Sequence, residues 1–225
     1  MQSYLYIIFS SLIIVTFFAH ADENTILLDE LKENDGWLLV ESRPDSIMIY
    51  EKNIEGMKLK ALRVEKIINF DYQHILNTVM DIGSYPKALK SSDLTSFIVG
   101  QKDNFIYAYN HIPVPFPFID DRHYFFKIKK TSSNEIIWTL VSESEANSTY
   151  KFKRILDKNL GSVYMEYGAG IWKAQPITKE MSNVSYSLYM DSGGLITDYL
   201  NDLFSSQSVI NLYKGVLSSS RKRGE

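Results

Sequence analysis

The stretch "PVPFPFIDDRHYFFKIKK", residues 113–130, carries three prolines, two aspartates and an arginine ahead of an aromatic segment. Proline has no backbone N–H to donate and fixes φ, so neither a helix nor a sheet ladder can continue through the three prolines. The residues from Arg122 onward are rich in aromatic and branched side chains, as strands are. The stretch therefore predicts a rigid turn that ends where a strand begins, at Arg122.

The predicted strand separates its side chains onto two faces, since successive residues of a strand point in opposite directions. Arg122, Tyr124 and Phe126 share one face with Ile128, and that face is predicted to point inward. His123, Phe125, Lys127 and Lys129 share the other face, which the lysines predict to be solvated. A guanidinium on an apolar face is costly unless it is paired, so we expect Arg122 to contact a ligand or, alternatively, to form an ion pair that only fixes the loop. The candidate partners are Asp120, Asp121, His111 and Glu166.

The segments on either side of this stretch have the patterns of strands and helices. A helix over residues 24–35 precedes three strand-like segments, and an apolar stripe predicts a second helix within residues 69–89. About six strand-like segments follow, and then a long helix with an apolar stripe over residues 195–217. This order is typical of the α+β class, here a helix-grip arrangement in which one curved antiparallel sheet packs around the final helix. The predicted strands lie in residues 37–42, 46–53, 57–68, 94–101, 104–112, 122–130, 134–143, 161–176 and 183–191.

The composition excludes several classes of site. The chain has 225 residues, 45% of them hydrophobic, no cysteine and a formal net charge of −3. Without cysteine there is no disulfide, thiol nucleophile or thiolate metal ligand. The small negative charge gives no reason to expect nucleic acid as a partner. The basic run at residues 221–225 is interpreted as a solvated and frayed chain end.

Residues 1–21 have the pattern of a secretory signal peptide. They contain no Asp, Glu, Lys or Arg, and an apolar run over residues 4–19 precedes the triplet Ala19-His20-Ala21. The alternative is an uncleaved membrane anchor, but this run is short for a bilayer core that needs roughly 20 residues. We therefore expect residues 22–225 to form one exported domain, periplasmic in a Gram-negative source and secreted otherwise.

Several groups of residues resemble the START domains, the lipid-transfer branch of the helix-grip superfamily. Residues 36–89, "GWLLVES" through "YPKAL", are similar to the first half of that domain, with the pattern Asp81-x-x-x-Tyr85-Pro86 at the end of the second helix. Residues 115–126, "PFPFIDDRHYFF", resemble its proline-aromatic approach to an arginine. "IWKAQP" at 171–176 resembles its aromatic strand ending in proline, and "MDSGGLITDYL" at 190–200 resembles the entry to its C-terminal helix.

The resemblance runs in order from about Trp37 to Leu217, with two departures. Ala88 and Leu89 stand where a tryptophan often follows the Tyr-Pro pair, and Thr197 stands near the position of a usual proline. Neither departure is at a chemical centre, so they bear on the subfamily more than on the fold.

The resemblance implies a function as well as a fold. It implies a deep tunnel between the sheet and the final helix that holds one lipid or sterol-like molecule without a cofactor. It also implies that the last helix and a neighbouring loop move to admit the ligand, and that a monomer makes transient membrane contact. Helix-grip relatives include aromatase/cyclase enzymes acting on polyketides, so catalysis on a hydrophobic small molecule is the alternative. A ligand-free interaction domain with a collapsed tunnel is a third possibility.

Signals for an enzyme are poor. His74, His111 and His123 do not have the spacing of metal ligands, and no nucleophile elbow, zinc-protease motif or phosphate loop is present. An acid–base pair of His111 with Asp120 or Asp121 is the remaining catalytic arrangement, and the flanking prolines make its geometry unpredictable. We therefore expect no catalytic residue and no metal.

The residues expected to line the tunnel lie on the strands and on the final helix. For most of the aromatic ones, simple core packing is the alternative, and for Glu166 it is exposure to solvent. The run Ser205-Ser206-Gln207-Ser208 interrupts the apolar stripe of the final helix and predicts either a polar ligand contact or a local kink. The predicted ligand-binding residues are Arg122, Tyr124, Phe126, Tyr107, Tyr109, His111, Trp138, Glu166, Trp172, Tyr186, Leu188, Leu203 and Gln207.

Overall fold

The computed structural model describes residues 22–88, 93–114, 117–193 and 198–224, with side chains of the last helix described from Gln207 to Arg223. The predicted signal segment, residues 1–21, lies outside the described residues.

A ten-stranded sheet forms the centre of the molecule. The strand order is β1-β2-β3-β10-β9-β7-β6-β5-β4, with all neighbours antiparallel, and β8 pairs in parallel with the start of β6. β1 and β4 are the two edges of this open sheet, which confirms the predicted antiparallel arrangement. The strands are β1 (Leu38–Ser42), β2 (Met48–Asn53), β3 (Lys60–Ile68), β4 (Thr95–Lys102), β5 (Phe105–Ile112), β6 (Arg122–Ser132), β7 (Glu135–Leu140), β8 (Val163–Tyr164), β9 (Gly168–Pro176) and β10 (Ser182–Met190).

Helices cover both faces of the sheet. They are α1 (Glu23–Lys32), α2 (Gln73–Met80), α3 (Tyr85–Ala88), α4 (Glu143–Ser148), α5 (Tyr150–Leu156) and α6 (Asp198–Gly224), with a 3-10 turn at Ile82–Ser84. α6 continues through residues 205–208 as one helix, so the serine-rich run does not end it.

The inner face of the sheet packs against α2 and α6. Tyr213 of α6 lies parallel to Trp172 of β9 with 5.7 Å between ring centres, and its hydroxyl donates to the backbone oxygen of Val184 at 2.7 Å. This contact holds α6 against the middle of the sheet and confirms the predicted grip. We call the surrounding buried residues the inner cluster; among its members are Val64, Ile75, Val79, Ala108, Tyr124, Phe126, Ile128, Trp138, Leu140, Met165, Trp172, Val184, Tyr186, Leu188, Ile210, Tyr213 and Val216.

The end of α6 is joined to α2. The hydroxyl of Ser220 donates to that of Thr78 at 3.0 Å, and Arg223 forms an ion pair with Asp81. The expectation of a frayed basic end at residues 221–225 was therefore wrong for Arg221–Arg223. α6 continues to Gly224, and Arg223 is paired with Asp81.

α1 covers the outer face at β7, β9 and β10. Leu27, Leu31 and Ile171 are buried together in this layer. The side chain of Asn24 donates to the backbone oxygens of Leu140 and Glu166 at 3.1 and 2.8 Å. One buried amide therefore ties α1 to the sheet at three points, since its oxygen also accepts from the backbone N–H of Gly168 at 2.7 Å.

α4 and α5 cover the outer face at β5 and β6, and the sequence analysis did not predict them. Ser142 caps α4 by accepting from the backbone N–H of Glu145 at 3.2 Å. Phe152 of α5 stacks on Phe125 of β6 with 4.4 Å between ring centres. His123 is buried in the same region, so the prediction of a solvated second face of β6 was wrong there and holds only toward Lys127 and Lys129.

A buried glycine on β9 makes room for an indole of the inner cluster. A Cβ on Gly170 would lie 2.5 Å from Nε1 of Trp138, closer than non-bonded atoms approach. The ring is rigid and packed, so the clash can be relieved only by moving the two strands. We expect Gly170→Ala to lower the free energy of unfolding by about 1–3 kcal/mol, measured by urea denaturation.

Gly100 on β4 is the matched control for Gly170→Ala. It is also a strand glycine, but no atom lies within 4 Å of the position its Cβ would take. Gly100→Ala should leave stability unchanged or raise it slightly, because alanine loses less backbone entropy on folding. Equal effects of the two substitutions would contradict the packing argument.

Candidate functional site

Many of the predicted ligand-binding residues come together on the inner face. The rings of Trp172 and Tyr186 stack with 4.2 Å between centres and 12° between planes, and Tyr213 of α6 lies parallel to Trp172. The result is an aromatic and aliphatic wall opposite α6. The predicted residues that this wall brings together are Tyr124, Phe126, Trp138, Trp172, Tyr186 and Leu188.

A neutral polar group lies within this apolar wall. Nδ2 of Asn110 on β5 donates to the hydroxyl oxygen of Tyr124 on β6 at 2.9 Å. Asn110 is only 5% exposed, and its Oδ1 has no hydrogen-bond partner among the described residues. A buried amide oxygen without a donor is unusual, because its desolvation is not repaid.

Two further phenols lie beside this pair. The hydroxyl of Tyr85 on α3 donates to the backbone oxygen of Val79 at 2.5 Å. Burial raises the pKa of Tyr186 well above its ordinary value, and the neighbouring Tyr124 and Tyr85 add to that rise. Burial likewise raises the pKa of Tyr85 and of Tyr124. All three phenols are therefore uncharged at ordinary pH.

Arg122 lies at the rim of the inner face and is 4% exposed. Its Nε donates to the backbone oxygen of Ser192 and its Nη2 to that of Gly193, both at 3.1 Å, while Nη1 donates to the backbone oxygen of Asp120. Burial lowers the pKa of Arg122, and the carboxylates of Asp120 and Asp121 oppose that shift. The guanidinium thus joins the start of β6 to the chain entering α6 through carbonyl oxygens, and ligand contact by Arg122 stays a prediction.

The β5 residues of the predicted site point the other way. Tyr107, Tyr109 and His111 lie on the outer face, where Tyr107 and Tyr109 pack in the layer beneath α4 and α5. The inward residues of β5 are Ala108 and Asn110, as their pairing with Phe126 and Tyr124 shows. The prediction that these three line the tunnel is corrected, because β5 is apolar on both faces and its pattern does not say which face is inner.

His123 and its neighbours form a second buried group on the outer face. The hydroxyl of Tyr109 lies 3.1 Å from Nδ1 of His123, and the ring of Tyr164 meets the imidazole edge-on. Burial lowers the pKa of His123 to about 4, helped by the nearby His111. His123 is therefore neutral at ordinary pH and packs as an aromatic residue.

His111 lies beside Asp121, as the acid–base alternative expected, but the group does not have the geometry of a Ser-His-Asp triad. Its Nε2 lies 3.2 Å from Oγ of Ser162 and 3.5 Å from Oδ2 of Asp121, so serine and aspartate share one nitrogen. A triad needs them on opposite nitrogens of the ring. Oδ1 of Asp121 also accepts from the backbone N–H of Val114 at 2.9 Å, so this carboxylate joins the end of β5 to the start of β6.

The remaining predicted residues lie elsewhere. The carboxylate of Glu166 accepts from the backbone N–H of Glu143 at 3.1 Å, at the start of α4 on the outer face. Gln207 is exposed and its amide donates to Asn211 on the same helix at 2.8 Å. These two predictions are therefore corrected, since both side chains point away from the inner cluster. The side chain of Leu203 lies outside the described residues.

The break between β8 and β9 explains why Glu166 was wrongly predicted to lie on the same face as Trp172. The chain pairs as β8, leaves the sheet at residues 165–167, and pairs again as β9. Tyr164 points outward, donating to the backbone oxygen of Val141 at 2.7 Å, whereas Trp172 points inward. The interruption changes the phase between two residues that a continuous strand would place on one face.

Asn110 is the residue that the sequence analysis missed. The available signal was its position opposite Tyr124, a polar side chain in an otherwise apolar strand whose neighbours are Ala108 and Ile112. Reading β5 in register with β6 would have placed it inward.

The described residues contain no group of three or more His, Asp or Glu side chains able to hold a metal ion. No helix among residues 22–88, 93–114, 117–193 and 198–224 is long and apolar enough to cross a membrane. A surface cleft of about 560 Å³ lies between residues 69–72 and the β9–β10 turn, at the end of β10 opposite to Arg122, and does not adjoin the polar group at Asn110.

Removal of the Arg122 side chain tests its structural role. Arg122→Leu leaves three backbone oxygens without their donor, so we expect the free energy of unfolding to fall by about 1–3 kcal/mol. Hydrogen exchange should become faster at the start of β6 and in residues 191–193. Arg122→Lys should recover little of this, because an ammonium cannot span three oxygens as a planar guanidinium does. Wild-type stability of Arg122→Lys would contradict the assignment.

No protein-family model matches the chain. A Pseudomonas aeruginosa protein described as uncharacterized is 23% identical over 189 residues, which are 84% of this chain and 89% of that protein.

Two solved structures have the same arrangement of strands and helices. The STAR-related lipid transfer protein from Xanthomonas axonopodis matches with a TM-score of 0.65 at 20% identity, over 83% of this chain and 99% of its own. Human StAR-related lipid transfer protein 5 matches with a TM-score of 0.66 at 13% identity, over 90% of this chain and 95% of its own. The chain therefore has the fold of the START domains, the StAR-related lipid transfer fold.

Proposed function

We propose that this protein binds a lipid or sterol-like molecule between the inner face of the sheet and α6, and carries it without chemical change. The observation that carries the proposal is the buried Oδ1 of Asn110, which lies within an apolar wall and has no hydrogen-bond partner in the part of the chain that the structure describes. Ligand sites have this composition, with mostly apolar lining and a few polar groups that fix orientation.

The fold supports the same proposal. The solved structures with matching architecture include a STAR-related lipid transfer protein that is covered over 99% of its length. The polar groups of the inner wall support carriage over catalysis. Tyr85, Tyr124 and Tyr186 have raised pKa values and hold their protons at neutral pH, so they are poor general bases. A cyclase-type enzyme on this fold, the alternative, needs a group beside the ligand that exchanges protons near neutral pH.

Native mass spectrometry of protein purified from its own source tests binding. We expect a co-purifying adduct that organic extraction releases as an unmodified lipid. Protein without an adduct and without extractable lipid would contradict the carrier proposal. An adduct that is converted to a product on incubation would favour the enzyme instead.

Two exposed apolar side chains support a transient membrane contact. Phe118 is fully exposed in the turn between β5 and β6, with φ of 68°, and Leu160 is 84% exposed in the turn between α5 and β8. The two turns lie at one end of the molecule, since the backbone N–H of Val163 donates to Asp121 at 2.8 Å. Arg122 holds the chain entering α6 at the same end.

A double substitution of these side chains tests the contact. Phe118→Asn with Leu160→Asn should slow lipid transfer between vesicles at least several-fold, because it removes the apolar groups that would enter the interface. Stability should change by less than about 0.5 kcal/mol, since both side chains are exposed. Tyr150→Asn on α5 is the control, because Tyr150 is 76% exposed but lies on the outer helical layer. Equal transfer rates for all three proteins would contradict the contact.

We also propose that the chain is exported and that residues 1–21 are removed. The support is the apolar run and the small-x-small triplet at residues 19–21. N-terminal sequencing of the protein from its source should begin at Asp22. A chain that retains Met1 and sediments with membranes would favour the anchor.

A further inference from the structure

We infer that the polar group of the carried ligand is an uncharged hydroxyl, held between Asn110 and Tyr124. This inference rests on the proposed function and narrows it to one class, the lipids with an alcohol as head group. Sterols and long-chain alcohols belong to this class, whereas ionised fatty acids and phospholipids do not.

The strand register places Asn110 on the face of the sheet that α6 covers. Asn110 pairs with Tyr124 across the β5–β6 ladder, and paired residues of an antiparallel ladder point to the same face. Tyr124 belongs to the inner cluster together with Tyr213 of α6. Asn110 therefore points inward, and its Oδ1 is a hydrogen-bond acceptor without a donor among the described residues.

The pair offers one acceptor and one donor side by side. The hydroxyl oxygen of Tyr124 accepts from Asn110 Nδ2, which leaves the phenolic proton to be donated elsewhere. If the amide were turned over, its N–H₂ would become the free donor and the phenol oxygen the free acceptor. In both arrangements the complementary group is one that donates and accepts at once, as a hydroxyl does. An ester or an ether has no proton for the free oxygen.

The charges around the pair disfavour an ionised head group. The buried cations among the described residues are Lys52 and Arg122. Lys52 lies on the outer face, where its Nζ donates to the backbone oxygen of Glu30 at 2.7 Å. The same Nζ forms an ion pair with the carboxylate of Glu30 at 3.2 Å. Arg122 directs three donors to backbone oxygens. A carboxylate placed at the pair would face the Asn110 oxygen and three phenols that burial keeps neutral, without a counter-ion.

The apolar wall beyond the pair suits the rest of such a molecule. Phe126, Trp172 and Leu188 continue the inner face away from Tyr124 and are all buried. A ligand with one hydroxyl and an otherwise apolar body satisfies the single free acceptor and leaves no other polar atom to be buried unpaired.

Competition among three probes with one hydrocarbon chain tests the head-group class. Cetyl alcohol, methyl palmitate and palmitate compete with Nile red bound to the purified protein, and the fluorescence gives each affinity. We expect cetyl alcohol to bind about tenfold more tightly than methyl palmitate, the ratio that one hydrogen bond supplies, and more tightly than palmitate.

Two substitutions locate the preference. Asn110→Leu should abolish the advantage of the alcohol while leaving the affinity for methyl palmitate unchanged or higher, and Tyr124→Phe should reduce the advantage. Thr139→Val is the matched control, because Oγ1 of Thr139 is also buried without a described partner but lies on the outer face, paired with Lys127. It should keep the wild-type preference. Thermal unfolding confirms that each variant is folded.

The outcomes separate the inference from the proposed function. Equal affinities for the three probes, or tighter binding of palmitate, would overturn the hydroxyl assignment while leaving lipid carriage intact. A preference that survives Asn110→Leu would also overturn it. Failure of all three probes to displace Nile red or to bind would overturn both. The assignment is supported if the preference is lost in Asn110→Leu, reduced in Tyr124→Phe and kept in Thr139→Val.

Discussion

The contact of Tyr213 with the middle of the sheet is the interaction on which the rest of the structure depends. Its ring lies against Trp172 and its hydroxyl donates to the backbone oxygen of Val184, so this side chain holds α6 close to the sheet. The contacts of Ser220 and Arg223 with α2 and its C-terminal end then set the direction of the helix. A single open sheet cannot bury both faces by itself, and its inner face must be covered by this helix. In the proposed function, the ligand lies where α6 and the inner face of the sheet meet.

The helices on the outer side stabilise the sheet without using its inner face. α1 is held by the buried amide of Asn24, and α5 by the stack of Phe152 on Phe125, so the sheet has a packed outer side at both places. The outer side supplies stability, and the inner wall can keep an imperfectly satisfied group. The unpartnered oxygen of Asn110 is a cost to folding that a ligand with a donor would offset.

The buried charge and the buried neutral polar groups lie at different places on the inner face. The buried cation Arg122 holds the chain that enters α6 through backbone oxygens. The polar groups deeper in the inner wall are neutral, because burial raises the pKa of Tyr124 and Tyr186. The fixed charge thus holds residues 192 and 193 ahead of α6, and the neutral groups are the ones that we propose to select the head group.

The sequence by itself determined the antiparallel strands, the first, second and final helices and the inward face of β6, because proline positions and side-chain alternation are local signals. The tertiary structure decided which face of β5 is inner, since α4 and α5 bury the other face and remove the contrast between apolar and wet sides. The tertiary structure also decided which groups accept hydrogen bonds from Arg122. Its partners are backbone oxygens 70 and 71 residues away, and a carbonyl oxygen has no side-chain signature in a sequence.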